Sequence, residues 1–347
     1  MKFLITGEKG FIGRNLVLTA KKHGHKVLEL CDPSSKIGDL ECRVPSKTGH
    51  TVSMWEREPC VHRNPHEVWA KVIQENNVDV VIHNAAVVGT DVVALNPGEA
   101  TLTNVAGTYN IVRACELAGV PISYMGTTVV YDTPQYQETY INEQSVVKPT
   151  TFYGQLKHTG DLIVNESKAR SNIIRPLFAY GGEGDMNSLI AKICFGAFTG
   201  RDDLDMFLDP KKYKDYLHVN DFCDAVIMAS ELGLWGEDFI VAAEDPRVTG
   251  EIVEAVDKVL HEDYNDSHQN NGTQMIEWYP ETDYLGNHRL SSKSFRAATG
   301  WAPSISLEEG IKMVAKSIKE ASRSLEYNPF IHLDDAKQRG IDLTKFY

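Results

Sequence analysis

Tyr153-Gly154-Gln155-Leu156-Lys157 sets a phenol and an ammonium four residues apart. On a helix that spacing puts both side chains on one face. An ammonium beside a phenol favours the phenolate, so the tyrosine's pKa is expected to fall towards working pH. It then exchanges a proton with a substrate hydroxyl. Alone, the pair better describes two neighbours on a surface helix. A second element upstream changes the balance. Gly126-Thr127-Thr128-Val129-Val130-Tyr131-Asp132 directly follows the apolar run Ile122–Met125. A hydroxyl at the C-terminal end of a strand faces the crevice where open α/β sheets bind ligands, so Thr127 is expected to hydrogen-bond the reacting oxygen. A plain β-favouring Thr pair is the alternative.

A phosphate-binding loop belongs with such chemistry, and Thr6-Gly7-Glu8-Lys9-Gly10-Phe11-Ile12-Gly13 has its form. It follows a short apolar strand and opens a helix, the context the motif requires. Gly7 permits the tight turn, Gly10 lets the backbone approach a pyrophosphate, and Gly13 allows close helix–strand packing. The helix N-terminus offers unpaired N–H groups to the anion. The second strand ends Leu30-Cys31-Asp32. A carboxylate there binds the adenosine ribose hydroxyls and disfavours a 2′-phosphate, pointing to NAD. Arg14, Lys36 or Arg43 would serve a 2′-phosphate instead, which keeps NADP open, and Asp32 before Pro33 also reads as a turn residue.

These residues need a scaffold, and the sequence supplies an alternation. Strands are expected at Lys2–Thr6, 27–30, 78–83, Ile122–Met125, 172–174 and 239–241, with helices at 14–23 and 104–118. Apolar strands alternating with helices argue for a parallel sheet covered on both faces. Beyond about residue 176 the pattern loosens. The chain has 347 residues and a formal net charge of -13. Such a balance repels phosphate backbones and anionic surfaces, so neither nucleic acid nor a membrane is an expected partner. The run Met1 to Gly7 is too short for a signal peptide and no stretch is long enough to span a bilayer. Six cysteines without Cys-x-x-Cys then read as reduced thiols in a cytoplasmic protein. Cys42, His50, Cys60, His62 and His66 match no zinc spacing, and no metal is expected there.

Taken together the motifs resemble the extended short-chain dehydrogenase/reductase family, the NAD-dependent epimerase/dehydratase group. The resemblance covers about residues 1–320. It rests on Thr6 to Gly13, His83-Asn84-Ala85-Ala86, Asn104 to Thr108, Thr127 with Val130-Tyr131, and Tyr153 to Lys157. Arg175-Pro176 before Tyr180-Gly181, Asp215 to Asp221, and Gly300-Trp301-Ala302-Pro303 before Leu307 to Gly310 complete it. It implies an α/β fold, a doubly wound parallel sheet (Rossmann) with a smaller C-terminal substrate-binding domain. The dinucleotide-binding domain would span 1–175 with a return segment at about 216–243. Residues 176–215 and 244–322 would bind substrate, and 323–347 form a tail. Thr127, Tyr153 and Lys157 would be catalytic. Gly7, Gly10, Phe11, Ile12, Gly13, Asp32, Ala85, Ala86 and Asn104 would line the dinucleotide along with Tyr153 and Lys157, which also holds the nicotinamide ribose. Asn104 would further support the active-site helix. Val87, Thr128, Phe178 and Tyr216 would meet a sugar-nucleotide substrate, and the helices carrying Asn104 and Tyr153 would form a homodimer.

Departures from the family narrow the reaction. Its dehydratases carry Asp-Glu where Thr128 and Val129 stand, its fucose-forming epimerase-reductases carry Cys at the Val129 position, and many epimerases carry an Asn where Phe178 stands. The resemblance therefore implies a 4-epimerase acting on a sugar nucleotide. The alternative is an NAD(P)H-dependent ketoreductase or dehydrogenase of a sugar nucleotide or small carbonyl compound.

Overall fold

A computed structural model of the chain describes residues 1–28, 64–131, 139–185, 188–200, 204–206, 208–264, 276–280, 283 and 286–321. In chain order the first stretch runs β1 (Lys2–Thr6), α1 (Phe11–Lys22), β2 (Lys26–Leu28), α2 (Pro65–Glu75), β3 (Val80–His83), α3 (Thr90–Leu95) and α4 (Pro97–Thr101). A π-helical turn (Leu102–Gly107) leads into α5 (Thr108–Ala118). Then come β4 (Ile122–Met125), a 3₁₀ turn (Thr128–Val130), α6 (Phe152–Asn165) and β5 (Ser171–Arg175). The later elements are β6 (Ala179–Tyr180), α7 (Leu189–Thr199), β7 (Leu204–Met206), β8 (Tyr213–Lys214), β9 (Leu217–His218), α8 (Val219–Glu231) and β10 (Asp238–Ile240). They are followed by β11 (Arg247–Val248), α9 (Thr249–Tyr264), β12 (Ile276–Trp278), α10 (Lys293–Thr299) and α11 (Leu307–Ala321).

The chain forms two compact units. The first comprises residues 1–130, 148–176 and 223–239, and the second 131–147, 177–222 and 240–347. Residues 131–147, inside the span 1–175 read from sequence as one domain, group with the second unit.

A six-stranded sheet in the order β10-β5-β4-β3-β1-β2 forms the core of the first unit. β2, β1, β3, β4 and β5 pair with one another in parallel. From β1 the chain adds β2 on one side, then returns to add β3 on the other. The strand order thus reverses between β1 and β3, and the crevice beyond their C-terminal ends is where such sheets bind ligands. Strand register explains the core. Leu4, Val81 and Ile122 are successive partners across β1, β3 and β4. They pack on Trp69 and Ile73 of α2 and on Ile111 and Cys115 of α5. All four residues of β3 are buried, as expected for a central strand covered on both faces.

Local sequence sets the helix ends. Pro65 opens α2, the Thr151 hydroxyl accepts from the Gly154 N–H to cap α6, and α5 stops at Gly119 with φ of 70°. The strands expected at 78–83 and 172–174 are found at Val80–His83 and Ser171–Arg175. The expected helix 104–118 is real, but its first turn is π-helical.

In the second unit α7, α9 and α11 pack on one another. Short strand pairs, β6 with β9, β8 with β11 and β7 with β12, complete it. Gly310 of α11 lies against the Tyr180 ring, where a Cβ would collide with the phenol oxygen. Among the described residues no helix is long and apolar enough to cross a membrane.

Candidate functional site

The loop after β1 is shaped by two glycines. Gly7 has φ of 70°, and a Cβ there would stand 2.8 Å from the Ala85 Cα in the loop after β3. A Cβ on Gly13 would collide with the Gly7 carbonyl oxygen. Only glycine allows α1 and the two loops to close up this far. Gly10 is the N-cap of α1, no side chain caps the first turn, and no acid stands in it. Its N–H groups and positive dipole end are left for an anion, while Phe11 and Ile12 are partly exposed beside them. This cradle fits a dinucleotide pyrophosphate.

A file of polar side chains crosses the strand ends behind the cradle. Thr6, His83 and Tyr124 are register partners on β1, β3 and β4. The Thr108 hydroxyl donates to the Asn104 carbonyl, which leaves it to accept from His83 Nε2–H at 3.1 Å. A neutral ring protonated at Nε2 accepts at Nδ1, so the Thr6 hydroxyl, which also accepts from the Ala85 N–H at 3.1 Å, donates there at 2.7 Å. The bonds thus fix one neutral tautomer. Burial, and then the charge of Lys157, push the His83 pKa down to about 3. His83 is a neutral spacer at any working pH.

Asn104 sits in the π-helical turn and grips the loop after β3 from both sides. Its amide donates to the Val87 carbonyl at 2.9 Å and its oxygen accepts from the Val87 N–H at 2.8 Å. The wider turn brings this side chain to the loop, a use π-turns often serve near functional sites. Ala85, Ala86 and Val87 are thereby held partly exposed beside Gly7.

Lys157 and Tyr153 are both buried on α6. Lys157 Nζ donates to the Met125 carbonyl at 2.6 Å and stands 4.3 Å from the centre of the Tyr124 ring. Burial lowers its pKa to about 8; Asp161 pulls in the opposite sense and Arg175 adds to the lowering. An ammonium has three donors, so two remain without a partner among the described residues. Gly154 brings the first turn of α6 against the 3₁₀ turn, since a Cβ there would stand 3.1 Å from the Val129 carbonyl oxygen. That turn follows Thr127, a buried residue whose hydroxyl oxygen accepts from the Val129 N–H at 3.3 Å. The Thr127 O–H is thus left to donate. The first unit brings Thr127, Tyr153 and Lys157 to adjoining turns beyond the C-terminal end of β4. Thr128 is fully buried, and its hydroxyl has no partner among the described residues.

Phe178 and Tyr216 belong to the second unit, where their rings stack with centres 5.2 Å apart. Phe178 has φ of 48°, a conformation that side chains with a Cβ rarely adopt. Asp32, Lys36 and Arg43 lie outside the described residues, as do Cys42, His50, Cys60 and His62 of the cysteine–histidine segment and the tail at 323–347. His66 is on α2. Among the described residues no three His, Cys, Asp or Glu side chains cluster as a metal would need. Sequence reasoning gave no role to the buried Asp161–Arg175 pair, joined at 2.8 Å. Its one signal was Asp161 standing four residues beyond Lys157.

Known proteins match this arrangement. The family model described as "NAD dependent epimerase/dehydratase family" matches residues 3–242. The chain is 26% identical over 336 residues to a UDP-glucose 4-epimerase of Mycolicibacterium smegmatis, covering 93% of this chain and 100% of that protein. It is 25% identical over 328 residues to a dTDP-glucose 4,6-dehydratase of Xanthomonas campestris pv. campestris, covering 89% and 90%. In fold it is similar to the Thermotoga maritima UDP-glucose 4-epimerase solved with UDP-glucose. That match has a TM-score of 0.70 at 20% identity, over 92% of this chain and 99% of that one.

Proposed function

We propose, for a chain that belongs to the NAD dependent epimerase/dehydratase family and is thus a nicotinamide-dependent enzyme of the extended short-chain dehydrogenase/reductase type, that it is the 4-epimerase of a sugar nucleotide. One observation carries the choice among the family's reactions. The two positions after Thr127, where the dehydratases carry an acid pair, hold Thr128 and Val129, both buried. Neither titrates near neutral pH, so these two positions offer no acid and base to eliminate water across two sugar carbons. Hydride transfer at one carbon asks less of the protein. Tyr153 takes the proton of the sugar 4-hydroxyl and later returns it. Lys157 favours the phenolate with its charge and spends its remaining donors on the nicotinamide ribose. The Thr127 O–H points the reacting oxygen. A nicotinamide held by these residues would supply the hydride chemistry at that carbon. In this reading Gly7, Gly10, Phe11, Ile12, Gly13, Ala85, Ala86 and Asn104 line the dinucleotide, the first unit is its domain, and the second supplies Phe178 and Tyr216 to the substrate. Asp32 favours NAD over NADP, and Kd values with NADP(H) the tighter ligand would overturn that preference.

Incubation with UDP-glucose and no added coenzyme tests the reaction. Interconversion with UDP-galactose at constant 340 nm absorbance supports it. Stoichiometric change in NAD(P)H shows a dehydrogenase or ketoreductase instead, and a 4-keto-6-deoxy product overturns the argument from Thr128 and Val129. We further propose a cytoplasmic homodimer. Its support is the family's use of these helices and the apolar side chains they expose, Leu102, Tyr109 and Leu117 before and along α5 and Phe152 and Leu162 on α6. Light scattering that reports a monomer at micromolar concentration counts against it.

A further inference from the structure

Behind the Tyr153–Lys157 face lies a charged group without a part in the reaction above. Asp161 follows Lys157 by four residues, so Tyr153, Lys157 and Asp161 share one stripe of α6. Asp161 is buried. Its Oδ2 accepts from Arg175 Nη1 at 2.8 Å, and its Oδ1 has no hydrogen-bond partner among the described residues. Arg175, also buried, donates through Nη2 to Asp238 at 2.9 Å and reaches the Thr127 carbonyl with Nη1 at 3.5 Å. A carboxylate buried only to anchor this arginine would be expected to use both oxygens, and Asp238 already anchors it. An idle buried oxygen calls for another account. Lys157 supplies the need: a buried ammonium whose one hydrogen-bond partner among the described residues is a carbonyl is poorly placed to keep its proton.

We propose that Asp161 is a positioning residue whose negative charge, one helical turn behind Lys157, keeps that lysine protonated while it holds the nicotinamide ribose and the Tyr153 phenolate. The inference rests on the reading of Lys157 given above. The other groups facing Lys157 cannot replace Asp161. From β3 comes His83, neutral down to about pH 3. From β4 comes Tyr124, whose phenol burial pushes upward. Along α6 come Tyr153 and, 3.8 Å from Asp161 Oδ2, His158. From β5 comes Arg175, which repels the ammonium, with Asp238 of β10 engaged on its far side. Of the two carboxylates, Asp161 is buried and Asp238 is one-third exposed, so the first is the less screened. Lys157 is charged below about pH 8 and neutral above it. Removing the anion lowers this pKa further, so the charge is lost at a lower pH.

Fluorescence titration of NADH between pH 6 and 9.5 reads this directly and needs no substrate. Affinity in the parent enzyme is expected to fall as pH rises through about 8. In Asp161→Asn the fall is expected about one pH unit lower, the order of shift that one nearby charge gives. Asp161→Glu, which keeps the charge, should hold the parent curve. An unmoved break in Asp161→Asn, or a loss equal at every pH, overturns the proposal. If that variant does not fold, Asp161→Asn with Arg175→Met removes the guanidinium that Asp161→Asn alone would leave facing a neutral amide, and takes its place. Its break should still lie below the parent's, because Asp161 outweighs Arg175 at Lys157; an unmoved or raised break overturns the proposal. Lys157→Met separates the two failures. If it binds NADH as tightly as the parent, the reading of Lys157 itself is wrong. If it binds weakly while Asp161→Asn keeps the parent break, only the role of Asp161 falls.

Discussion

Each unit buries a lysine beside an aromatic ring, and the two are held in opposite ways. Lys214 in the second unit donates to both oxygens of Asp283, at 3.0 and 2.9 Å, and to the Gly286 carbonyl at 2.6 Å. All three of its donors are used, and its Nζ lies 5.6 Å from the Phe178 ring. Among the described residues Lys157 in the first unit touches no carboxylate, uses one donor on Met125 and stands 4.3 Å from the Tyr124 ring. Burial lowers the pKa of both, and at Lys214 the bonded Asp283 opposes it. A lysine with every donor satisfied by its own protein has nothing left to offer a ligand. A buried lysine with two donors idle among the described residues has them to spare for something that comes and goes. Burial alone does not mark a functional lysine; unspent donors do.

Substitution should therefore damage different properties in the two units. The largest effect belongs to Tyr153→Phe. It keeps the ring and removes the proton carrier, and turnover is expected to fall about 10²–10⁴-fold with NADH affinity little changed. Activity within a few-fold of the parent would show that the proton moves elsewhere. Lys157→Met comes next. It should weaken both turnover and NADH binding while leaving the urea midpoint near the parent's, because no carboxylate loses a bonded partner. A large drop in stability with normal NADH affinity would erase the contrast between the two lysines.

Lys214→Met should do the reverse. It strands Asp283, whose side chain is 1% exposed. Breaking a buried pair in this way typically costs about 3–5 kcal/mol. The urea midpoint should drop accordingly, while the NADH affinity of the folded fraction stays as it was. If the midpoint holds and NADH binding fails, Lys214 has been misread as structural.

The first unit was the more legible because its signals are local. Val80–His83 is buried on both faces and reads as a continuous apolar run, and the Gly7–Gly13 loop names its own geometry through glycines that no other residue can replace. Tyr153 and Lys157 announce their shared face by spacing alone. Beyond residue 176 helices α7 to α11 stand among strand pairs only two or three residues long, so the strand–helix alternation that marks the first unit is not there to read. The π-turn at Asn104 left no periodic signal, since one extra residue in a turn looks like ordinary helix. The Asp161–Arg175 pair needed the sheet. Nothing in the sequence says that β5 will carry an arginine to the stripe of α6 below Lys157.

The smallest expected effect tests the edge of the Lys214 region. Phe178 holds φ of 48°, and its carbonyl accepts from the Leu217 N–H at 3.4 Å. The left-handed conformation costs an ordinary side chain about 1–2 kcal/mol, and asparagine adopts it more readily. Against this, the Phe178 ring stacks on Tyr216, a contact worth about 0.5–1.5 kcal/mol. In Phe178→Asn the relief of strain and the lost stacking nearly cancel, so the net change in stability should be within about 1 kcal/mol. On the reading proposed above, the Phe178 side chain meets the substrate, and this variant tests that at little cost in stability. The variant restores the amide that many epimerases of this family aim at the substrate diphosphate. For UDP-glucose the expected result is a lower KM with kcat unchanged, since the added contact is made equally in ground and transition states. An unchanged KM would mean that Phe178 does not face the nucleotide. A loss of kcat would tie the second unit's aromatic pair to the chemistry itself, and the separation drawn between the two lysines would have to be given up.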